Sequence, residues 1–305
     1  MYYYKVYNVT IKVPFAIPEL VGTGDDQADI IIEEDGVSNN LENISGSGDF
    51  FGGTLQYQIN SNDVLLKIDK IGKYWIKDKK TIIIDRIAGV SDADIALYLL
   101  GTCFAYIIML NGGFAIHGSA IKIGESCVIF TGDSGVGKST TAARLIEKRY
   151  SLLADDVCVI TFDTEGAIVH PAYPQLKLWD NSVEKLGYDK ADLKTVSDSW
   201  QKFRLSVKDI YHTIPVKIMH VFELIPSDSE EIQCRTLQGL DKLKLLLANT
   251  YRNFFIPSLN LEKSHFQFCT QLAQQIEVKQ IERPRNLFLI DELIELVESE
   301  IKMCV

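Results

Sequence analysis

The 305-residue sequence lacks the features that mark several classes of protein. It has no basic surplus, because 41 acidic residues outnumber 31 lysines and arginines and give a net charge of −10 at pH 7. Nucleic acids and anionic membranes attract basic surfaces, so neither is expected as a partner. The six cysteines are dispersed and include no C-x-x-C pair. That spacing favours reduced thiols over a disulfide framework or a zinc site.

The sequence also shows no targeting or membrane-spanning pattern. Its N-terminus, MYYYKVYNVTIKV, has neither the basic start nor the apolar stretch of a signal peptide. The longest apolar run, Ile95–Leu110, is shorter than the ~20 residues of a spanning helix, and we expect a core helix there. No internal repeat or low-complexity tract is present. We therefore expect a globular protein of the cytoplasm.

The chain divides into a β-rich first part and an α/β remainder. Residues 1–90 contain short runs rich in Ile, Val, Tyr and Thr, separated by turn clusters such as SNNLENISGSGD (38–49) and SNDV (61–64). They predict a small antiparallel β domain. Ser91 and Asp94 form a capping-box-like start for a helix of about 18 residues that ends at NGG, 111–113.

From residue 114 strands alternate with helices around a glycine-rich loop, which predicts an α/β domain over residues 91–305. The polar stretch 180–213 is expected to be irregular. Helices are predicted at about 138–149, 238–250, 261–275 and 286–302.

The clearest motif is GDSGVGKS, which fits G-x-x-x-x-G-K-[ST] between a strand-like run and a helix. Such a loop, the Walker A motif, directs backbone N–H groups at phosphate oxygens, and the helix N-terminus adds partial positive charge. Lys138 is placed for the β- and γ-phosphates and Ser139 for Mg²⁺. The residues expected to contact the nucleotide are Gly132, Asp133, Ser134, Gly135, Val136, Gly137, Lys138, Ser139 and Thr140.

Two adjacent acids, Asp155 and Asp156, follow Lys138 by 17 and 18 residues within an apolar, strand-like run. We expect them on a strand next to the phosphate-loop strand, with their side chains on opposite faces. One carboxylate would hold the metal, and the other could serve as the base that a kinase requires. A salt-bridged or turn pair is the alternative. His117, on a strand expected to form a hairpin with the phosphate-loop strand, is either an active-site residue or a satisfied core residue. The other histidines, His170, His212, His220 and His265, show no metal-ligand spacing.

The stretch from FAIHGSAIKI through GDSGVGKS to LLADDVCVI, residues 114–160, closely resembles the catalytic core of bacterial HPr kinase/phosphorylases. Those are P-loop serine kinases whose fold is related to phosphoenolpyruvate carboxykinase, so the resemblance implies that fold, ATP and Mg²⁺. It also implies a homo-oligomer, since the similar enzymes form hexamers. By position it implies these roles: His117 near the transferring phosphate, Lys138 on the phosphates, Ser139 and Asp155 at the metal, and Asp156 as proton acceptor.

The rest of the chain resembles another branch of these proteins. The bifunctional enzymes carry a Gly-rich acidic motif after the core, where this chain reads VHPAYPQLKLWDNSVEKLG. That segment, together with PFAIPEL and LLANTYRNFF, resembles the corresponding sequences of HPr kinase-like proteins associated with lasso peptide biosynthesis. The resemblance implies phosphorylation of the C-terminal serine of a precursor peptide.

A basic side chain is expected to neutralise the transferring phosphate. The candidates are Lys177, Lys202, Arg204 and Arg252, with Lys177 and Arg204 preferred. The sequence thus predicts an ATP-dependent serine kinase acting on a peptide or small protein. An HPr-type kinase/phosphorylase, a small-molecule kinase and a nucleotide-binding regulator without phosphotransfer are the alternatives.

Overall fold

The computed structural model describes residues 1–37, 44–50, 53–60, 63–196 and 202–302. The SNNLEN part of the first predicted turn cluster and the SN of the second lie outside these ranges. Contacts divide the chain into two compact units, Met1–Gly113 with Arg252–His265, and Phe114–Tyr251 with Phe266–Val305.

The described residues form strands and helices with the following bounds. The strands are β1 Tyr2–Val6, β2 Val9–Val13, β3 Val21–Gly22, β4 Ile30–Glu34, β5 Gly46–Phe50, β6 Gly53–Ile59, β7 Asp63–Ile68, β8 Gly72–Lys77, β9 Thr81–Arg86, β10 Phe114–Ile123, β11 Ser126–Thr131, β12 Ser151–Asp163, β13 Gly166–Val169, β14 Gln175–Trp179, β15 Lys194–Thr195, β16 Lys202–Ser206, β17 Val216–Ser227, β18 Gln233–Thr236 and β19 Glu277–Pro284. The α-helices are α1 Asp92–Tyr98, α2 Phe104–Leu110, α3 Lys138–Glu147, α4 Asp180–Leu186, α5 Gly239–Ala248, α6 Phe255–Ser258, α7 Glu262–Gln275 and α8 Ile290–Lys302.

The first unit is built on one nine-stranded sheet in the order β3-β1-β2-β4-β9-β8-β7-β6-β5. Its β-rich character was predicted, but the expected antiparallel pairing is only partly right. Strand β4 runs parallel to both of its neighbours, β2 and β9. The chain reaches β4 through the short strand β3, whose pairing is with β1, so the connection is not a hairpin.

A helical segment follows this sheet, with a π-helical turn at Leu99–Cys103 between α1 and α2. Ser91 caps α1 as predicted, because its Oγ accepts a hydrogen bond from the Asp94 N–H at 3.1 Å. The 19 residues Asp92–Leu110 are long and apolar enough to cross a membrane, although 72% of the most apolar window is buried. A buried core helix can be equally long and apolar, so length and composition alone do not indicate a membrane span.

Contacts attach this helical segment to the β-rich unit. The Tyr74 hydroxyl donates to the Ile95 carbonyl at 3.1 Å, and the Tyr7 hydroxyl donates to the Leu100 carbonyl at 3.2 Å. The compact unit therefore extends to Gly113, whereas the boundary predicted from composition precedes the helix, at residue 90.

The second unit contains the phosphate loop. Its larger sheet has the order β11-β10-β12-β13-β17-β19-β18, and an added pairing of β11 with β17 closes five of these strands into a ring. A smaller sheet has the order β14-β16-β15. The α/β character expected for this part of the chain is present.

Apolar side chains of the larger sheet pack against α3 and α8. Phe130 and Phe222 stack at 5.7 Å, and Leu145 of α3 is fully buried. The last helix, α8, has an apolar face, because Leu293, Ile294, Val297 and Ile301 are buried. This packing holds α3, and with it the end of the phosphate loop, against the sheet.

The interpretation of residues 180–213 as irregular was wrong. They contain α4, β15 and β16, and β16 pairs with β14 so that Lys177 lies opposite Arg204 and Trp179 opposite Lys202. The strand KFRLS is only five residues long, which is too short for its alternation of polar and apolar residues to be convincing in sequence.

Candidate active site

The phosphate loop connects β11 to α3, as its motif predicts. Gly132 has a φ of +124°, and a Cβ there would lie 2.5 Å from the Leu224 carbonyl oxygen, so only glycine fits. Gly137, with a φ of +108°, precedes the helix, whose first turn carries no acidic residue. The loop therefore presents a helix N-terminus suited to an anion.

Lys138 is buried within the loop it ends. Its Nζ donates to the carbonyl oxygens of Gly132 and Asp133 at 2.8 and 2.9 Å. Burial lowers the pKa of Lys138, although the nearby carboxylates of Asp156 and Asp155 act in the opposite direction. The ammonium group thus lies inside the loop, where the motif places the phosphates.

The predicted position of the two aspartates in the sheet was partly wrong. Strand β12, which carries them, pairs with β10, and β10 separates it from the phosphate-loop strand β11. The predicted hairpin of β10 and β11 does form. Because β10 fills the place next to β11, it lies between the phosphate-loop strand and the strand that carries the acids: Ser119 is paired with Asp155, and Gly118 with Asp156.

The backbone departs from regular strand geometry at Asp156, whose φ is +76°. This is the left-handed region, which non-glycine residues enter at a cost. The simple alternation of side chains between two faces therefore does not hold at this position, and both carboxylates contact Lys177. The two acids nevertheless have different surroundings.

Asp155 is buried, with 3% of its surface exposed. Its Oδ1 accepts hydrogen bonds from the hydroxyls of Ser119, at 2.6 Å, and Ser139, at 2.9 Å. Its Oδ2 accepts from the backbone N–H of Lys177 at 2.9 Å. Ser119 was missed in the sequence, where its place two residues after His117 on one strand was the available signal.

Asp156 is more open, with 26% of its side chain exposed. Its Oδ2 lies 3.3 Å from Lys177 Nζ and its Oδ1 lies 3.4 Å from His117 Nδ1. His117 Nδ1 also lies 3.0 Å from the Asp156 backbone oxygen. We call these five residues, His117, Ser119, Asp155, Asp156 and Lys177, the acid cluster.

Burial and the ionisable groups around Lys177, inside and outside the acid cluster, affect its pKa. Burial pulls this pKa down, but attraction from Tyr173, Asp156, Tyr251 and Asp155 outweighs it and raises the pKa above its ordinary value. The Lys177 side chain therefore stays cationic across the physiological range, next to the most open carboxylate of the cluster.

The other basic candidates differ in their surroundings. Lys202 Nζ lies 4.5 Å from the centre of the Trp179 ring, and burial lowers its pKa while the carboxylate of Asp156 opposes that effect. The Arg204 guanidinium donates to the Val196 carbonyl at 2.6 Å. Arg252 belongs to the first compact unit. Lys177 therefore contacts the acid cluster directly, whereas the Arg204 guanidinium is hydrogen-bonded to a backbone carbonyl.

Arg283, at the end of β19, was not predicted as a site residue. Its Nε donates to the Val136 carbonyl of the phosphate loop at 2.6 Å, and burial lowers its pKa. It is 147 residues from Val136 in the chain, so the sequence carried no local signal for this contact.

The oxygen donors beside the loop fit a magnesium ion. Mg²⁺ prefers oxygen ligands and usually takes only one or two carboxylates, with phosphates and waters supplying the rest. Ser139 Oγ and Asp155 Oδ1 are 2.9 Å apart, which offers two such donors at the end of the phosphate loop. Within the described ranges no group of three or more His, Cys, Asp or Glu side chains could hold a metal alone.

Comparison with known proteins identifies the segment around this site. Residues 110–177 match the HPr Serine kinase C-terminal domain. The HPr kinase/phosphorylase of Bordetella pertussis is 29% identical over 112 residues, which cover 36% of this chain and 35% of that protein. That of a Geobacillus species is 42% identical over 62 residues, 20% of each chain. The match thus spans about a third of the first relative and a fifth of the second.

Among solved structures, the Hpr(Ser) kinase/phosphatase from Coxiella burnetii aligns with a TM-score of 0.34 and 16% identity, covering 62% of this chain and 92% of that one. The family match covers the phosphate loop and the whole acid cluster, and it ends at Lys177, before Arg204 and Arg283. Residues 110–177 are therefore similar to the HPr Serine kinase C-terminal domain.

Proposed function

We propose that this protein is an ATP- and Mg²⁺-dependent kinase that phosphorylates a serine hydroxyl of a peptide or small protein. The observation that carries the proposal is the pairing of a buried carboxylate bonded to Ser139 with an adjacent, more exposed one. The buried carboxylate, Asp155, suits a metal site. A protein that only binds nucleotide would not need the second carboxylate, Asp156. Its side chain has the exposure that a base for an incoming hydroxyl requires.

Each member of the acid cluster has a place in the proposed transfer. The acceptor oxygen forms a bond to the γ-phosphorus while the bond from that phosphorus to the β,γ-bridging oxygen breaks. The hydroxyl proton passes to the carboxylate of Asp156, and ADP leaves with the electron pair of the broken bond. Lys138 and Lys177 stabilise the charge on the phosphoryl oxygens, and His117 fixes the Asp156 backbone and carboxylate.

The metal would be held by Ser139 and Asp155. It would neutralise charge on the β- and γ-phosphates when bound with ATP. Ser119 supports this site by donating to the same Asp155 oxygen as Ser139, so it orients the carboxylate.

For the acceptor we propose the C-terminal serine of a lasso precursor peptide, on the resemblance of PAYPQLKLW and LLANTYRNFF to that branch. HPr is the second candidate, favoured by the match of residues 110–177 to proteins named HPr kinase/phosphorylase. Action in the cytoplasm and a homo-oligomeric state complete the proposal.

The test is a transfer assay with [γ-³²P]ATP and Mg²⁺ on three acceptors in parallel: peptides ending in serine, HPr, and free serine. Label on the serine-ending peptide that is lost when a C-terminal alanine replaces the serine supports the preferred acceptor. Label on HPr, with release of pyrophosphate when phosphate is added to phospho-HPr, supports the second. ATP binding without transfer to any acceptor rejects the kinase and favours a nucleotide-binding regulator.

A further inference from the structure

An open cleft lies beside the phosphate loop in the second unit. It encloses about 570 Å³, counting the solvent-open space between its walls. The residues that matter for its chemistry are Gly137, Thr140, Asn181, Lys185, Arg283 and Phe288. We call these six residues the nucleoside cleft, for the reason developed below.

The motif determines on which side of the loop the nucleoside of a bound nucleotide lies. The loop backbone holds the α- and β-phosphates, and Lys138 reaches towards the γ-phosphate. The nucleoside is attached at the α-phosphate, so it must continue from the end opposite the γ-phosphate. Gly137 and Thr140 belong to the loop and the first turn of α3, and both line the cleft. The cleft therefore begins at the part of the loop that carries phosphate.

The cleft has the side chains that a nucleoside needs. Phe288 lines the cleft and is 38% exposed, so its ring is accessible for stacking on a base. The ammonium of Lys185 lies 5.3 Å from the centre of its ring. Asn181, exposed at the start of α4, supplies an amide that can both donate and accept hydrogen bonds.

Arg283 joins the cleft to the loop. Besides its hydrogen bond to the Val136 carbonyl, its guanidinium lies 3.6 Å from where a Cβ on Gly137 would be. A Cβ at residue 137 would therefore be in ordinary van der Waals contact with the guanidinium, so Arg283 lies close against the end of the loop. A cation at this point also favours a phosphate on the way from the loop to the cleft.

We infer that the cleft binds the nucleoside of ATP, with the base stacked on Phe288. The inference rests on the proposed nucleotide binding and adds which residues recognise the part of ATP that does not react. Residues 110–177 end before α4 and β19, so the walls from Asn181, Lys185, Arg283 and Phe288 lie outside the matched family segment.

The experiment compares two ligands that share the phosphates and differ in the nucleoside. Dissociation constants are measured by calorimetry for Mg·ATP and for Mg·tripolyphosphate, on the full chain and on Phe288→Ala. Base–aromatic stacking predicts a loss of about 5- to 150-fold in ATP affinity, with tripolyphosphate affinity unchanged. Phe266→Ala is the matched control, because Phe266 is an exposed phenylalanine (53%) of the same unit on α7. It should change neither constant.

Each other result overturns the inference. Equal losses for both ligands would mean that Phe288 supports the loop, and no loss for ATP would mean that the base lies elsewhere. A raised KM for the acceptor with ATP affinity unchanged would assign the cleft to the acceptor. Retained tripolyphosphate binding shows that the variant is folded. If the wild-type protein binds ATP in this way but transfers no phosphate, the kinase proposal fails while the cleft stands.

Discussion

The acid cluster and the nucleoside cleft border the same phosphate loop but are built differently. In the acid cluster, charged and polar side chains contact one another at 2.6–3.4 Å around a buried carboxylate. The nucleoside cleft combines a half-exposed aromatic ring, an amide and two cations, and it is open to solvent.

This contrast suggests a division of labour around the loop. Groups held against one another in a partly buried site can stabilise charge that develops during a reaction, because they need not reorganise. An aromatic wall stabilises a bound base equally in the ground state and the transition state, so it contributes affinity rather than rate. Substitutions in the cluster should therefore change kcat, whereas those in the cleft should change the dissociation constant.

The largest effect is expected for Asp156→Asn. Asparagine enters the left-handed region readily, so the substitution removes the base while tolerating the φ of +76°. Loss of general-base catalysis predicts a fall in kcat of about 10²–10⁴-fold. ATP affinity should be retained, because a negative charge near the phosphates is removed.

Single-turnover transfer and ATP titration measure the two quantities separately. Glu165→Gln is the control, since Glu165 is an exposed acid in the turn after the same strand. A normal rate for Asp156→Asn would remove the base from the proposal, and equal losses in both variants would point to a general effect of charge.

The next largest effect is expected for Lys177→Ala, compared with Arg204→Ala. Lys177 contacts Asp156 directly, and removing one group that stabilises transition-state charge costs about 10²–10³-fold in kcat. Arg204 is opposite Lys177 in the sheet but donates to the Val196 carbonyl. Its loss should lower the free energy of unfolding by about 1–3 kcal/mol and affect kcat less.

Both variants are assayed for transfer and for urea unfolding. A larger loss of kcat in Arg204→Ala than in Lys177→Ala would reverse the ranking and make Arg204 the residue that neutralises the phosphate.

A smaller effect should follow from Gly118→Ala, which tests how rigidly the acid cluster is held. A Cβ at residue 118 would lie 2.4 Å from the Phe130 carbonyl oxygen, so the backbone of β10 or β11 must shift. Overpacking of this kind costs about 1–3 kcal/mol in the free energy of unfolding. Gly118 is paired with Asp156, so kcat should fall while the cleft keeps its affinity for ATP.

Gly36→Ala is the matched control, because no atom lies within 4 Å of its Cβ position. Urea denaturation of both variants should show a loss only for Gly118→Ala. An unchanged stability for that variant would mean that the strands around the cluster yield more easily than their packing indicates.

How far the sequence predicted this site depends on how local each feature is. The phosphate loop and its helix are encoded within GDSGVGKS, and the adjacent acids are visible in LLADDVCVI. The position of β10 between the phosphate-loop strand and the strand of the acids depends on strand pairing, which the spacing along the chain does not determine. The left-handed backbone at Asp156 could not be predicted either, because nothing in the residue itself requires it.

In the nucleoside cleft, Gly137 and Thr140 were predicted from the motif as nucleotide contacts, but Asn181, Lys185, Arg283 and Phe288 were missed for the same reason. Arg283 and Val136 meet only because β19 lies beside β17, which itself lies beside the phosphate-loop strand. Such a contact has no periodic pattern or motif in sequence. The short strand β16 was missed because its five residues gave too few repeats of the alternation, although it places Lys202 and Arg204 opposite β14.

The smallest predicted effect is a dependence of ATP affinity on pH. Burial lowers the pKa of Lys138 in the free protein, so its ammonium loses its proton at a lower pH than an ordinary lysine. Bound phosphates favour the charged form, and binding is therefore accompanied by proton uptake once the pH exceeds that pKa. Affinity should weaken at alkaline pH by at most about tenfold per pH unit, the limit for one proton.

Because this titration belongs to the loop and not to the nucleoside cleft, Mg·ATP and Mg·tripolyphosphate should lose affinity in parallel as the pH rises. Lys138→Arg should remove the dependence, since a guanidinium stays charged throughout the range. A pH dependence seen with ATP but not with tripolyphosphate would place the titrating group in the nucleoside cleft. The assignment of the titration to Lys138 in the loop would then be wrong.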